Sequence, residues 1–466
     1  MFRAPVHRRT LLRLLGLTPL LIFACRDRGS SVTPLSGPTD RALIVGAGIA
    51  GLALAGALRE AGIDVIVLEA RDRIGGRIHT LELAGATVDA GAAWIHGRHG
   101  NPLTALFDRF GLSMREHAYS PLWTFDALAQ RRLDAAEQEA AIGRVDAFYA
   151  ALAALKKGLG GGASVQDAID AHLTNLSLDP AAERHARLVL EQYLIEVDYG
   201  GPSEQTSLAL FDEDEFFGDD DNLPAGGFAR LIERLAEGLD LRLNTSVTQV
   251  GYDTDKAWVT TAQGQRLEAD RVIVTVPLGV LKSGSITFEP PLPAAKTAAL
   301  ARMQMGDLEK VVLRFEQRFW PTTPDAAWLY LSGMRGETPL IVDLSADAGA
   351  PTLVLLHGGR RVREHLDAVS DATLVERCLA LLVELLGAPV PAPIASHVTR
   401  WRSDPYSRGS YSFPALGMTG DDFDALAEPV GQRVLFAGEA TSRAYFGTLH
   451  GAVESAQREA LRLGIG

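Results

Sequence analysis

The stretch that most limits what this chain can become is RALIVGAGIAGLALAGALREAGIDVIVLEARDRIGGR, residues 41–77. An apolar run ends in a glycine-rich turn, an amphipathic helix follows, and a second apolar run stops at Glu69. The pattern predicts strand, turn, helix and parallel strand, the opening unit of a nucleotide-binding α/β fold. Gly46 permits the tight turn, Gly48 lets the backbone approach a pyrophosphate, and Gly51 lets helix and strand pack closely. The N-terminus of such a helix faces the phosphates with free N–H groups and positive potential. Glu69 ends the second strand, where a carboxylate can bind both hydroxyls of an adenosine ribose.

At 466 residues the chain is too long for one compact core and is expected to form two or three domains. Hydrophobic residues at 47% and charged residues at 22% are those of an ordinary globular protein. Cys25 and Cys378 are the only cysteines, which excludes a disulfide framework. The formal charge is −13, and six arginines ahead of residue 41 make the rest more acidic still. That balance argues against nucleic acid as a partner and suits a cationic small molecule.

HRRTLLRLLGLTPLLIFAC, residues 7–25, sets Arg8 and Arg9 before an uncharged run from Leu14 to Cys25. The run is too short to span a bilayer and fits an export signal. The arginine pair resembles a twin-arginine signal, the bacterial route for proteins exported folded, and LIFAC resembles a lipobox that would put a lipid on Cys25. Residues 1–25 therefore read as a signal and 26–40 as a flexible, polar tether, with the bacterial periplasm or cell envelope as the expected location. Any membrane contact would run through Cys25. A Sec signal or a mis-assigned start is the alternative reading.

The continuation EARDRIGGR resembles flavoproteins of the glutathione-reductase-like class, in which an arginine such as Arg77 approaches the pyrophosphate or flavin. Near the other end, QRVLFAGEATSRAYFGTLHGAVESAQREA reads as a strand, then Gly438 and Glu439, then a helix. In that class such a late motif binds the ribityl and pyrophosphate. Residues 104–200 carry helical patterns with few strand signals, and GDLEKVVLRF reads as a buried strand with Lys310 at its mouth. A buried ammonium is costly unless paired or neutralised, so that lysine needs a reason.

From Ala42 to about Ala460 the chain resembles the flavin-containing amine oxidases: monoamine oxidases, polyamine oxidases and lysine-specific histone demethylases. The residues that carry the resemblance are VGAGIAGL, DAGAAWIHGRHGNPL, LPAGGF, TVPLGVLKSGSITFEPPLP, GDLEKVVLRF, DPYSRGSYSF and FAGEATSRAYFGTLHGA, in that order. WIHGRHGNPL, PYSRGSYS and GTLHGA are most similar to polyamine oxidases. The resemblance implies an α/β fold: a Rossmann-like FAD-binding domain (residues 41–95, 223–290 and 398–466) with an interleaved α+β substrate-binding domain (96–222 and 291–397).

It also implies roles. Lys310 would hold a water at flavin N5, Tyr411 would form one wall of an amine cage, and Trp401 would lie beside the flavin. Arg71, Trp94 and Val247 are further implied cofactor contacts. Ser410 stands where monoamine oxidases carry the cysteine that bonds the flavin, so FAD is expected to be non-covalent. Thr448 replaces a second cage tyrosine and opens the slot on that side. His96 corresponds to a position near the substrate channel, and a loop histidine with a purely structural role is the competing reading. The acidic run FDEDEFFGDDDN, residues 211–222, either draws polycations or is a solvated loop.

The implied activity is oxidation of the carbon next to an amine nitrogen, with hydride transfer to the flavin and oxygen as the electron acceptor, giving hydrogen peroxide. A polyamine is the expected substrate. An L-amino-acid or monoamine oxidase stays open, as does a non-catalytic, lipid-anchored flavin- or amine-binding protein.

Overall fold

The computed structural model describes residues 32–117, 119, 121–218, 220–321, 326–331 and 340–465. The signal-like segment 1–25 lies outside the described residues. Five short strands form a parallel sheet in the order Val434–Phe436, Arg271–Val274, Arg41–Val45, Asp64–Leu68, Asp240–Arg242. Their central runs, ALIV and VIVL, are apolar throughout because both faces of the sheet are covered. Helices Ile49–Glu60 and Leu449–Arg462 cover one face, where burying Leu52, Leu54 and Leu58 contributes roughly 1.5–3 kcal/mol each. A four-stranded sheet, Arg266–Ala269, Ala257–Thr261, Val247–Tyr252 and Thr287–Glu289, packs on the other.

The turn between first strand and helix forms as its glycines require. Gly46 has φ +112°, and a Cβ on Gly51 would lie 2.1 Å from the Gly46 carbonyl oxygen. No larger residue fits between helix and strand there.

A separate seven-stranded sheet runs Ala395–Val398, Leu308–Arg314, Thr352–Gly358, Leu340–Asp343, Ala327–Leu331, Leu122–Asp126, Arg131–Arg132. Strand Leu308–Arg314 is buried on both sides and separates two cores. Val311 and Leu313 face helix Asp371–Leu386, whereas Val312 faces the helical layer that includes Ala135–Leu159. With a period of two, Lys310 shares its face with Leu308 and Val312.

Two expectations change. Strand Leu122–Asp126 falls in a stretch read as helical, because its partner, Ala327–Leu331, lies about two hundred residues on and no local pattern announces it. The far end of the tether is also fixed. Leu35 N–H donates to Arg462 O (2.8 Å), Ser36 N–H donates to Gln432 Oε1 (2.9 Å), and the Arg271 guanidinium donates to Ser36 O. Among the described residues no helix is long and apolar enough to cross a membrane.

Candidate active site

A single cleft gathers the chemistry. Its empty volume, open mouth included, is about 1240 Å³, and it runs from the glycine turn at Gly48 past Arg77, Trp94 and Lys310 to Tyr411 and Thr448. Gly48 caps the first helix without any side chain, and a Cβ there would meet nothing within 4 Å, so backbone amides border open space. Gly438 and Glu439 enter from the other end of the sequence. They sit together because Val434–Phe436 is an edge strand of the same parallel sheet.

Lys310 is 3% exposed. Its Nζ donates to Asp89 O (2.9 Å) and Gly91 O (2.6 Å), and lies 4.7 Å from the centre of a Trp94 ring. Those carbonyls belong to the DAGAAW turn, so the lysine ties the central strand to the cleft wall. Burial pushes its pKa down, partly countered by the nearby Asp89 carboxylate. Asp89 itself is pushed up by burial, although Thr80 and Phe228 N–H donate to it.

Tyr411 presents its ring to the cleft, and its hydroxyl donates to the carbonyls of Val197 and Asp198, both at 3.2 Å. Those carbonyls end a buried π-helical stretch, Val189–Glu196, that continues into Val197–Tyr199. Gly200 and Gly447 flank the ring: a Cβ on either would approach it to 3.1 and 3.3 Å. Ser410 Oγ donates to Leu308 O and accepts from Leu308 N–H, each at 2.8 Å. That serine locks the entrance of the Lys310 strand to the Tyr411 strand.

Several anticipated cofactor residues stand outside the lining of this cleft and have partners in the frame. Glu69 accepts from Ala47 N–H (2.8 Å) and Arg71 N–H (2.9 Å) at the glycine turn. Arg71 makes two 2.8 Å bonds to Asp404, clasping two walls together. Val247 lies in the core between the parallel and four-stranded sheets, beside Val45 and Leu68. Arg77, Trp94, Trp401, Gly438 and Glu439 do line the cleft. Glu439 accepts from Arg77 Nη1 (2.8 Å), Ser412 Oγ (2.5 Å) and Gly447 N–H (2.8 Å), so it joins three walls.

On the far side of Thr448 a smaller alcove is lined by Asp214, Glu215, Phe217, Tyr445 and His450. Thr448 uses its hydroxyl as a helix cap, accepting from Gly451 N–H at 3.0 Å and donating to Tyr445 O at 2.7 Å. His96 lines both spaces. The run 211–222 is therefore no plain solvated loop: Tyr199 OH donates to Asp214, and Asp221 meets His96. Burial holds the His450 ring neutral, its pKa pushed down to about 3.

The sequence profile of the flavin-containing amine oxidoreductases matches residues 49–463. The chain belongs to that family. This amine oxidoreductase is 35% identical over 450 residues to lysine-specific histone demethylase 1 homolog 1 of Oryza sativa subsp. japonica, covering 92% of this chain and 53% of the relative. It is 33% identical to polyamine oxidase 4 of the same plant, covering 89% and 86% of the two. The chain thus spans about half the length of the demethylase it matches. A putrescine oxidase solved with putrescine bound superposes with a TM-score of 0.74 at 25% identity, covering 91% of this chain and 98% of the other.

The family's flavin fits the residues present as FAD. Gly48, Gly75, Gly438 and the N-terminus of helix Leu449–Arg462 would border the pyrophosphate and ribityl. Trp94, Trp401, Lys310 and Tyr411 would border the ring system. Ser410 offers a hydroxyl where a covalent link would need a thiol.

Proposed function

We propose that this chain is an FAD-dependent oxidase of diamines or polyamines that binds its flavin non-covalently. The observation carrying this reading is that one cleft joins the dinucleotide turn, the buried Lys310 and the Tyr411 ring, and shares His96 and Thr448 with a smaller pocket that Asp214 and Glu215 line. When bound, FAD supplies the two-electron acceptor. The protein's share is position, dryness and charge. Tyr411 and Trp401 offer aromatic faces that attract a cation and shape a slot for the neutral amine. Lys310 Nζ, with its lowered pKa, can hold a water or pass a proton at the reacting end. The net reaction takes amine, oxygen and water to an aldehyde, the released amine and hydrogen peroxide.

An amino-acid oxidase would need an arginine in the pocket to clamp the substrate carboxylate. Among the described residues lining the cleft the one arginine is Arg77, and its guanidinium already serves Glu439 and Ser410 O. The proposal extends to export of the folded, flavin-loaded chain, supported by Arg8 and Arg9 and by the need to acquire a cytosolic cofactor first. The test is anaerobic: mix the purified protein with putrescine, spermidine or spermine and follow the oxidised-flavin absorbance. Rapid bleaching, reversed by air, is expected. A flavin bleached by amino acids or aromatic monoamines and not by these amines refutes the substrate class.

A further inference from the structure

Trp401 borders the cleft because the chain leaves the seven-stranded sheet just before it. The ladder between Leu308–Arg314 and Ala395–Val398 ends where Val311 faces Val398. One step on, Thr399 N–H still donates to Lys310 O (3.0 Å), but Lys310 N–H donates to the Thr399 hydroxyl (2.7 Å) in place of a carbonyl. The departing chain is caught by Glu309, which is 1% exposed and lies on the face of the strand opposite Lys310. Glu309 Oε2 accepts from Thr399 Oγ1 (2.5 Å), Oε1 accepts from Arg402 N–H (3.0 Å), and Trp401 N–H adds a further bond. Asp307, on the same face of the strand, takes the Arg402 guanidinium (3.0 Å). Two carboxyls thus grip one turn.

The groups that meet Glu309 are all donors. Thr399 Oγ1 already accepts from Lys310 N–H, so its own proton turns to Glu309, and an ionised carboxylate, which only accepts, satisfies the whole set. A protonated Glu309 would set a donor among donors. We propose that Glu309 is a positioning residue: its ionised carboxylate, from behind the Lys310 strand, holds the Trp401 turn against the flavin and so sets the rate at which the flavin is reduced. This rests on the reading of the cleft as an amine-oxidising site.

The surroundings make that hold responsive to pH. Asp307 is paired with Arg363 Nε (2.6 Å) and Arg402 Nη1 (3.0 Å), and Arg402 reaches on to Asp367 (3.0 Å). Across the ladder His357 stands opposite Glu309, held neutral by burial with its pKa pushed down to about 3, and Cys378 behind it stays a thiol. Burial pushes the Glu309 pKa up to about 7; the three donors pull against it, and Asp307 adds to it. Below that pH the carboxyl gains a proton and the turn loosens. Flavin reduction therefore quickens as pH rises through about 7 and the ionised form takes over.

Anaerobic stopped-flow with saturating putrescine or spermidine gives the limiting rate of flavin reduction on both sides of that pH. The visible circular dichroism of the oxidised flavin, read without amine, reports how the ring is seated. The wild-type rate should rise about tenfold through the step, since a misplacement of about 1 Å costs more than that, and the dichroism should change over the same interval. Glu309→Gln sets an amide N–H against Thr399 and cannot ionise. It should keep its flavin, lose both steps and stay near the low-pH wild-type rate, with amine KM within about threefold. Thr399→Val removes a donor that favours the ionised form and should move the step to higher pH. Should Glu309→Gln not fold, that shift decides. A step that survives in Glu309→Gln, even with the rate lowered equally at every pH, overturns the proposal, as does a step unmoved in Thr399→Val or absent from wild type. A wild type that no amine reduces overturns the amine reading instead, and the dichroism, which needs no substrate, then decides on Glu309.

Discussion

Replacing Lys310 by methionine separates what its ammonium does for the fold from what it does for the reaction. The side chain loses two charge-assisted hydrogen bonds, at 2.9 and 2.6 Å, to Asp89 O and Gly91 O. At about 1.5–3 kcal/mol each, that loss is about 3–6 kcal/mol. Against it stands relief from burying a cation, itself several kcal/mol, and methionine fills nearly the same volume. The two nearly cancel, and the variant is expected to fold within about 2 kcal/mol of wild type and to retain its flavin. The rate has no such offset. A positioned acid–base group contributes about 10²–10⁴-fold, equivalent to about 2.7–5.4 kcal/mol on the barrier. Stopped-flow absorbance, with amine reduction measured without air and reoxidation measured on mixing with oxygen, reads the two half-reactions separately. At least one should slow a hundredfold. If both stay within threefold of wild type while the flavin is fully bound, Lys310 has a structural role only.

The glycine turn and the Tyr411 wall offer independent checks. Gly51→Ala should leave little bound flavin after purification, because its Cβ would press on the Gly46 carbonyl and on Thr275 Oγ1, 2.9 Å away; normal flavin content would refute the close-packing argument. Tyr411→Phe removes the donor shared by Val197 O and Asp198 O but keeps the ring, so amine KM should change less than threefold while melting temperature drops, and the reverse pattern would show that the hydroxyl handles substrate. Glu309 is 1% exposed, and burial raises its pKa to about 7 from an ordinary 4.5 although Thr399 donates to it. The folded state therefore binds a proton that the unfolded state has released between those values, and stability falls as pH rises from about 4.5 to about 7. Urea midpoints at the two ends of that window should differ by on the order of 2–3 kcal/mol more in wild type than in Glu309→Gln, and equal differences would refute the assignment.

The nucleotide half of the fold was legible because its signals are local. Gly46, Gly48, Gly51 and the two apolar runs lie within thirty residues, and each acts through its own backbone freedom or burial. The strand GDLEKVVLRF was legible for the same reason: a short apolar run buried on both faces needs no distant partner to be recognised. Resemblance supplied the expected roles of Lys310 and Tyr411, but not what holds them. Ser410 stood out only as a missing cysteine, whereas the tertiary structure makes it the link between Leu308 and the Tyr411 strand. Arg71 and Glu69, expected at the cofactor, also brace the walls around the cleft, and Val247 packs in the core behind it, which no local pattern announced.

His96 and the acidic run 211–222 were each noticed and each left undecided, since nothing in the order of residues joins position 96 to position 221. Their pairing depends on a backbone bridge between Ile95 and Asn222, a contact across more than a hundred residues. The sequence by itself determined the elements whose energetics are settled within a turn or a strand: the phosphate-facing helix, the buried strands and the charge of the chain. Only the tertiary structure decided which side chains share a cleft, because closing loops of that length is governed by the packing of the whole core and not by any local preference.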